Sequence, residues 1–118
     1  MDHKKIYKVL FQLGARPELC GYKYIFDILD IVEKDERIIF TKTYAIVAKK
    51  RNTVPSAVER GVRHFVSTLD RNSDVFKKVF GSPKSLTNKC FIYSLITYIK
   101  YCDNTDDADI TETTASND

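Results

Sequence analysis

The sequence has no run of eighteen or more consecutive apolar residues, which is the length that a membrane-spanning helix requires. Its first five residues, MDHKK, lead into an amphipathic pattern and not into the continuous apolar segment of a secretory signal peptide. The sequence therefore predicts no membrane partner, and we expect a soluble, cytoplasmic protein.

Cysteine and histidine are also scarce. Cys20, Cys90 and Cys102 lie far apart without a Cys-x-x-Cys pair, and the two histidines offer no spacing that would complete a zinc site. We therefore expect no cofactor, and thiols that are reduced and behave as small buried hydrophobic residues. The chain has no nucleophile elbow, glycine-rich phosphate loop or His-Glu-x-x-His motif. These absences predict that it is not an enzyme.

The charges are distributed unevenly along the 118 residues. The segment 103–118 holds six of the 16 acidic residues and no basic one, and its Asp, Thr, Asn and Ser residues offer little apolar surface to bury. We expect this tail to be disordered, either as a solubilising end or as an acidic cover for a basic face. The remaining residues, 1–102, carry a net charge of +9, form one predicted domain and favour a polyanionic partner.

Apolar residues recur with the period of an α-helix and predict an all-α domain of six helices. The predicted helices cover residues 3–13, 22–32, 43–51, 54–69, 74–80 and 87–101. Thr53 is a plausible N-cap of the fourth helix, and Asp27 is expected on the outer face of the second. The apolar residues 38–40 are interpreted as a buried connection.

The third and fourth predicted helices have the outline of a helix-turn-helix, with a turn of about three residues between them. The first of the two is short, with Ala48 where a neighbouring helix must approach. The second, residues 54–69, has two faces at 100° per residue. Its apolar arc contains Val58, Val62, Phe65, Val66 and Leu69, and its polar arc contains Ser56, Glu59, Arg60, Arg63, His64 and Ser67.

The polar arc carries groups that suit DNA bases. An arginine fork matches the O6 and N7 acceptors of guanine, and a glutamate can accept from the N4 amino group of cytosine. The candidates for base reading are Ser56, Glu59, Arg60 and Arg63, and those for phosphate contacts are Lys49, Lys50, Arg51 and His64. The pattern equally suits an ordinary solvated helix with a Glu59–Arg63 ion pair and a basic C-terminus on the helix before it.

The same residues resemble one protein family. The matched parts are Leu13-Gly14-x-x-Pro17, Gly21-Tyr22-x-Tyr24, Tyr44 with Ala48-Lys49-Lys50-x-Asn52-Thr53, Pro55-Ser56-x-Val58-Glu59-Arg60-x-Val62-Arg63-His64, Phe80-Gly81 and Thr87-Asn88-x-x-Phe91-Ile92. In this order and spacing they resemble the C-terminal DNA-binding domain of the sporulation initiation response regulator, stage zero sporulation protein A. The resemblance covers residues 10–100.

The resemblance implies a six-helix domain that binds double-stranded DNA through the helix 54–69 in the major groove. It also implies tandem pairing of two copies through residues 87–101 and contact with an RNA polymerase sigma subunit. The chain differs from the family pattern in having Ala57 in place of a common arginine and Arg51 in place of an aromatic residue. The usual receiver domain is expected to be lacking, so aspartyl phosphorylation is not expected to switch this chain in cis. An alternative function is a protein-interaction module that pairs with or antagonises a full-length regulator or the transcription machinery.

Overall fold

A computed structural model describes residues 2–102, and the tail 103–118 that is predicted to be disordered lies outside the described residues. Within this range the chain forms α-helices and no strand, which confirms the all-α prediction. The helices are α1 (His3–Gln12), α2 (Cys20–Lys34), α3 (Phe40–Lys50), α4 (Pro55–Ser67), α5 (Asp74–Phe80) and α6 (Asn88–Thr97), and α6 continues into a π-helical turn (Tyr98–Cys102).

Side chains that precede three of the helices satisfy free backbone N–H groups of the first turn. Asp2 accepts from the N–H of Lys4 at 2.9 Å, and Ser73 accepts from the N–H of Phe76 at 3.0 Å. Thr87 caps α6 in the same way, with 3.1 Å between its Oγ1 and the backbone nitrogen of Cys90. These caps fix where α1, α5 and α6 begin.

The core is a single cluster to which all the longer helices contribute. Leu10 of α1, Ile28 of α2, Phe65 of α4 and Phe91 of α6 are fully buried. The Phe65 and Phe91 rings meet edge to face with 6.5 Å between centroids. Burial of each such side chain stabilises the fold by about 1.5–3 kcal/mol, so this cluster holds α4 in place.

The closest approach between helices is the crossing of α2 and α4. Gly21, which was expected to precede the second helix, lies inside α2 and faces Gly61 of α4. A Cβ atom built on Gly21 would lie 2.5 Å from the carbonyl oxygen of Gly61 and 2.6 Å from Cβ of Phe65. Only a glycine at position 21 therefore allows the two backbones to meet.

Two local expectations about helix starts are wrong. Ile39 is the N-cap of α3 and is 67% exposed, so residues 38–40 are not a buried connection. The N-cap of α4 is Val54 and not Thr53, and it makes no side-chain capping bond. Pro55 follows at the first helical position, where its lack of an N–H group costs nothing.

The three cysteines also differ from expectation. All three are free thiols, but Cys20, Cys90 and Cys102 are exposed and do not pack into the core. Cys20 and Cys90 lie in the first turns of α2 and α6, and Cys102 ends the π-helical turn. The apolar character of a cysteine does not predict its burial at these positions, because the three side chains lie on outward-facing surfaces of their helices.

Candidate nucleic-acid interface

The turn between α3 and α4 consists of residues 51–54. Asn52 adopts a left-handed conformation with φ of 58°, which asparagine tolerates better than most residues. The N–H of Thr53 then donates to the carbonyl oxygen of Ala48 at 2.9 Å, and Ala48 itself is buried. This short turn places α4 directly against α3, as the predicted helix-turn-helix requires.

The two faces of α4 agree with the prediction. Val58, Val62 and Phe65 are 0% exposed, and Val66 is 5% exposed. The helix ends at Ser67 and not at residue 69 as predicted, and Leu69, two residues further on, is also buried. On the opposite arc, the side chains of Ser56, Arg60, Arg63, His64 and Ser67 are exposed. The helix therefore presents a row of polar groups to solvent from a rigid, fully packed support.

Glu59 lies at one edge of the outward arc and is partly buried. Arg63 Nη1 donates to Glu59 Oε2, which forms the i,i+4 ion pair that the sequence suggested. The side chain of Arg63 is still 61% exposed, and an arginine carries five N–H donors. The ion pair therefore orients the guanidinium without using up its donors.

The basic end of α3 is not uniform. Lys49 is exposed, whereas the neighbouring Lys50 and Arg51 both bind the carboxylate of Asp27 in α2. Lys50 Nζ lies 2.9 Å from Oδ1, Arg51 Nε lies 2.7 Å from Oδ2, and Arg51 Nη2 lies 3.1 Å from Oδ1. Asp27 is only 5% exposed, so the expectation that it lies on the outer face of its helix is wrong.

Asp27 remains ionised in this setting. Burial acts to raise the pKa of its carboxyl group, but the hydrogen bonds from Arg51 and Lys50 outweigh burial and hold the pKa below its usual value. A buried carboxylate with two cationic partners is a fixed anchor. It ties the end of α3, immediately before the turn, to the middle of α2.

A second set of contacts joins the beginning of α6 to both helices of the motif. Asn88 Nδ2 donates to the hydroxyl oxygen of Tyr44 in α3 and to the backbone carbonyl oxygen of Glu59 in α4, each at 3.1 Å. Sequence reasoning gave Asn88 no role beyond its place in a matched motif. The sequence carried no further signal, because Asn88 stands between Thr87 and Lys89 in a polar helix start where an asparagine is ordinary.

Other kinds of site receive no support from the described part of the chain. Among residues 2–102, no three His, Cys, Asp or Glu side chains are grouped so that they could hold a metal ion. Over the same residues, every helix is too short or too polar to cross a bilayer.

A short helix packed across a longer one, with a four-residue turn and an outward row of polar side chains, defines a helix-turn-helix domain. The family model described as "Sporulation initiation factor Spo0A C terminal" matches residues 6–99. The chain belongs to this family of DNA-binding effector domains of a sporulation regulator. The match covers most of the 118 residues and includes every helix except the first turn of α1.

Proposed function

We propose that this chain is a sequence-specific transcriptional regulator that inserts α4 into the major groove of DNA. The observation that carries the proposal is the separation of α4 into a fully buried apolar face and an exposed polar arc. The B-DNA major groove is about 12 Å wide and admits one α-helix. Membership of a DNA-binding family supports the same reading.

The base-reading groups in this proposal are Ser56, Glu59, Arg60 and Arg63. Arg60 is exposed near the centre of the outward arc, where a bidentate contact with guanine is geometrically natural. Glu59 and Arg63 act as a pair, since their ion pair already orients both side chains in the unbound protein. Ala57 provides no donor, so the preferred sequence is expected to differ from that of relatives with arginine at this position.

Phosphate contacts are assigned to Lys49, Lys50, Arg51 and His64. His64 is exposed on the outward arc of α4, and Lys49 is exposed in the last turn of α3. Lys50 and Arg51 are held by Asp27, but the side chain of Lys50 is 61% exposed and the guanidinium of Arg51 has a nitrogen, Nη1, that Asp27 does not use. Both cations can thus keep their anchor and still donate to a phosphate oxygen.

The test begins with a selection of bound duplexes from a random pool, followed by affinity measurements on the selected sequence. Arg60→Ala should weaken binding to that sequence by about 1–3 kcal/mol, which is the value of one good bidentate base contact. Arg37→Ala is the matched control, because Arg37 is an exposed arginine between α2 and α3. It should leave the affinity unchanged.

Unchanged affinity in Arg60→Ala would remove Arg60 from the base-reading set. If no duplex is enriched and no binding responds to salt, the DNA-binding proposal is wrong. Co-elution with a full-length regulator would then favour the interaction module. Tandem pairing through residues 87–101 and contact with a sigma subunit stay predictions of the family resemblance.

A further inference from the structure

A groove of about 460 Å³ runs along α4 on the side that faces α6. It lies between the recognition helix and the segment that leads into α6. Its lining residues are Tyr44, Glu59, Arg63, Ser85, Leu86, Thr87, Asn88 and Lys89. Two of the proposed base-reading residues, Glu59 and Arg63, thus share a surface with residues that have no assigned role.

The position of this groove around the axis of α4 is informative. At 100° per residue, Arg60 lies near the middle of the outward arc, whereas Glu59 and Arg63 lie on its flank toward α6. A helix in the major groove has a sugar–phosphate backbone on each side of it. The beginning of α6 therefore lies on the side of α4 where one of the two DNA strands would pass.

The groove has the charge and donors that a phosphate requires. Lys89 is exposed, and the hydroxyl groups of Ser85 and Thr87 line the same surface. The Thr87 oxygen accepts a hydrogen bond from the N–H of Cys90, which leaves its own proton for donation. The only acidic lining residue is Glu59, whose carboxylate is neutralised by Arg63.

The residues at the start of α6 are held at a fixed distance from α4. Asn88, which lies between Thr87 and Lys89, is bonded to the Glu59 carbonyl oxygen and to the Tyr44 hydroxyl group. Its own side-chain oxygen is buried and, within residues 2–102, is the only such side-chain atom without a hydrogen-bond partner.

We propose that Lys89, with the hydroxyl groups of Ser85 and Thr87, forms a phosphate-contacting wall for the DNA strand on the α6 side of the recognition helix. This inference rests on the proposed function. It adds a second side to the interface, since the phosphate contacts assigned above come from α3, the turn and α4. The wall contacts phosphates only, so it adds affinity and sets orientation without reading sequence.

The experiment measures the affinity of the full chain for its selected duplex and for a scrambled duplex at several salt concentrations. The variant is Lys89→Gln, which removes the charge and keeps a long polar side chain. The matched control is Lys78→Gln, because Lys78 lines a different groove, with Ser94 and Thr97 toward the other end of α6. Circular dichroism melting confirms that both variants fold.

The slope of log affinity against log salt is negative, and we expect Lys89→Gln to reduce its magnitude by about 0.9, the value for one phosphate contact. Between 50 and 200 mM salt the variant would then lose about 3.5-fold less affinity than the wild type. The effect should be equal on both duplexes, and Lys78→Gln should behave as the wild type does.

Three results would overturn the inference in distinguishable ways. If the wild type binds DNA and Lys89→Gln has the same salt slope as the wild type, the proposed phosphate-contacting wall is wrong and the proposed function stands. A loss confined to the selected duplex makes Lys89 a base contact and not a phosphate contact. A wild-type chain that binds no duplex at all overturns the proposed function, and the wall with it.

Discussion

Gly21 and Gly61 bring the backbones of α2 and α4 into direct contact at the crossing of the two helices. The two positions differ in how well they tolerate a larger side chain. A Cβ at position 21 would meet backbone atoms of Gly61, whereas a Cβ at position 61 would meet the ring of Tyr24 at 2.9 Å. A ring can turn aside and a helix backbone cannot, so position 21 carries the stricter requirement.

Gly21→Ala should therefore lower the free energy of unfolding by about 2 kcal/mol. Overpacking against a backbone costs at least the upper part of the usual 1–3 kcal/mol, and the better helix propensity of alanine returns about 1 kcal/mol. Gly61→Ala should cost less, because Tyr24 can move. Urea unfolding of both variants checks the order, and an equal or smaller loss for Gly21→Ala would contradict it.

Asp27→Asn should destabilise the domain by about 1.5–3 kcal/mol at pH 7, the range for hydrogen bonds to a charged group. The lower half of this range is expected, since Lys50 and Arg51 are partly exposed and can turn to solvent after the change. Chemical denaturation at pH 7 measures the difference. Asp30→Asn, at a partly exposed position on the same helix, is a control for loss of one negative charge and of an exposed contact, since the Asp30 carboxylate lies 3.1 Å from His3 Nε2.

The pH dependence of this difference has a definite sign. The folded-state pKa of Asp27 lies below its usual value of 3.8, so its contribution to stability is fully present above the unfolded-state pKa. That contribution is lost as the pH falls through the folded-state pKa. The gap in stability between wild type and Asp27→Asn should therefore be constant near neutrality and shrink below about pH 4. A gap that grows on acidification would rule out the anchor.

Glu59→Gln should reduce sequence discrimination more than affinity. The change removes a negative charge from the DNA-facing surface, so binding to a scrambled duplex should become tighter. It also removes the acceptor for a cytosine amino group and the partner that orients Arg63, so discrimination should fall by about 1–3 kcal/mol. Parallel titrations of the selected and scrambled duplexes give this ratio. An unchanged ratio would assign Glu59 to the solvated-face interpretation.

Asn88→Ala should cost more stability than Tyr44→Phe. The phenylalanine variant removes one hydrogen bond, from Asn88 to the Tyr44 hydroxyl, and should lose about 0.5–1.5 kcal/mol. The alanine variant also removes the bond to the Glu59 carbonyl oxygen and opens the packing at the start of α6. Thermal unfolding of the two variants and of the double variant measures the coupling. Equal losses would show that the Asn88–Glu59 bond contributes nothing.

Periodicity predicted those parts of the fold that depend on one helix at a time. The buried arc of α4, with Val58 and Phe65 at its centre, follows directly from spacing, because a packed helix must hide one continuous stripe. Gly14 and Gly81 directly follow the predicted helices 3–13 and 74–80, and both have the positive φ angle that is common in a glycine that ends a helix.

Features that depend on two helices were not visible in the sequence. Asp27 looked like an outer-face acid, since its partner Arg51 lies 24 positions further along the chain. No role was predicted for Gly61, although a glycine inside a helix costs about 1 kcal/mol and therefore often marks a close contact with another helix. Asn88 could be placed at a helix start, but its bonds to Tyr44 and Glu59 require knowledge of how three helices meet.

The division of α4 into a buried and an exposed face has a consequence for how such a domain diverges. Under the proposed function, substitutions at exposed positions such as Ser56, Arg60 and Arg63 change the chemistry presented to DNA, and surface changes of this kind usually alter stability by no more than about 0.5 kcal/mol. Substitutions at Val58, Gly61 or Val62 disturb the packing that orients the helix. The proposed function therefore implies that operator preference can change, by natural drift or in the laboratory, while the scaffold stays fixed.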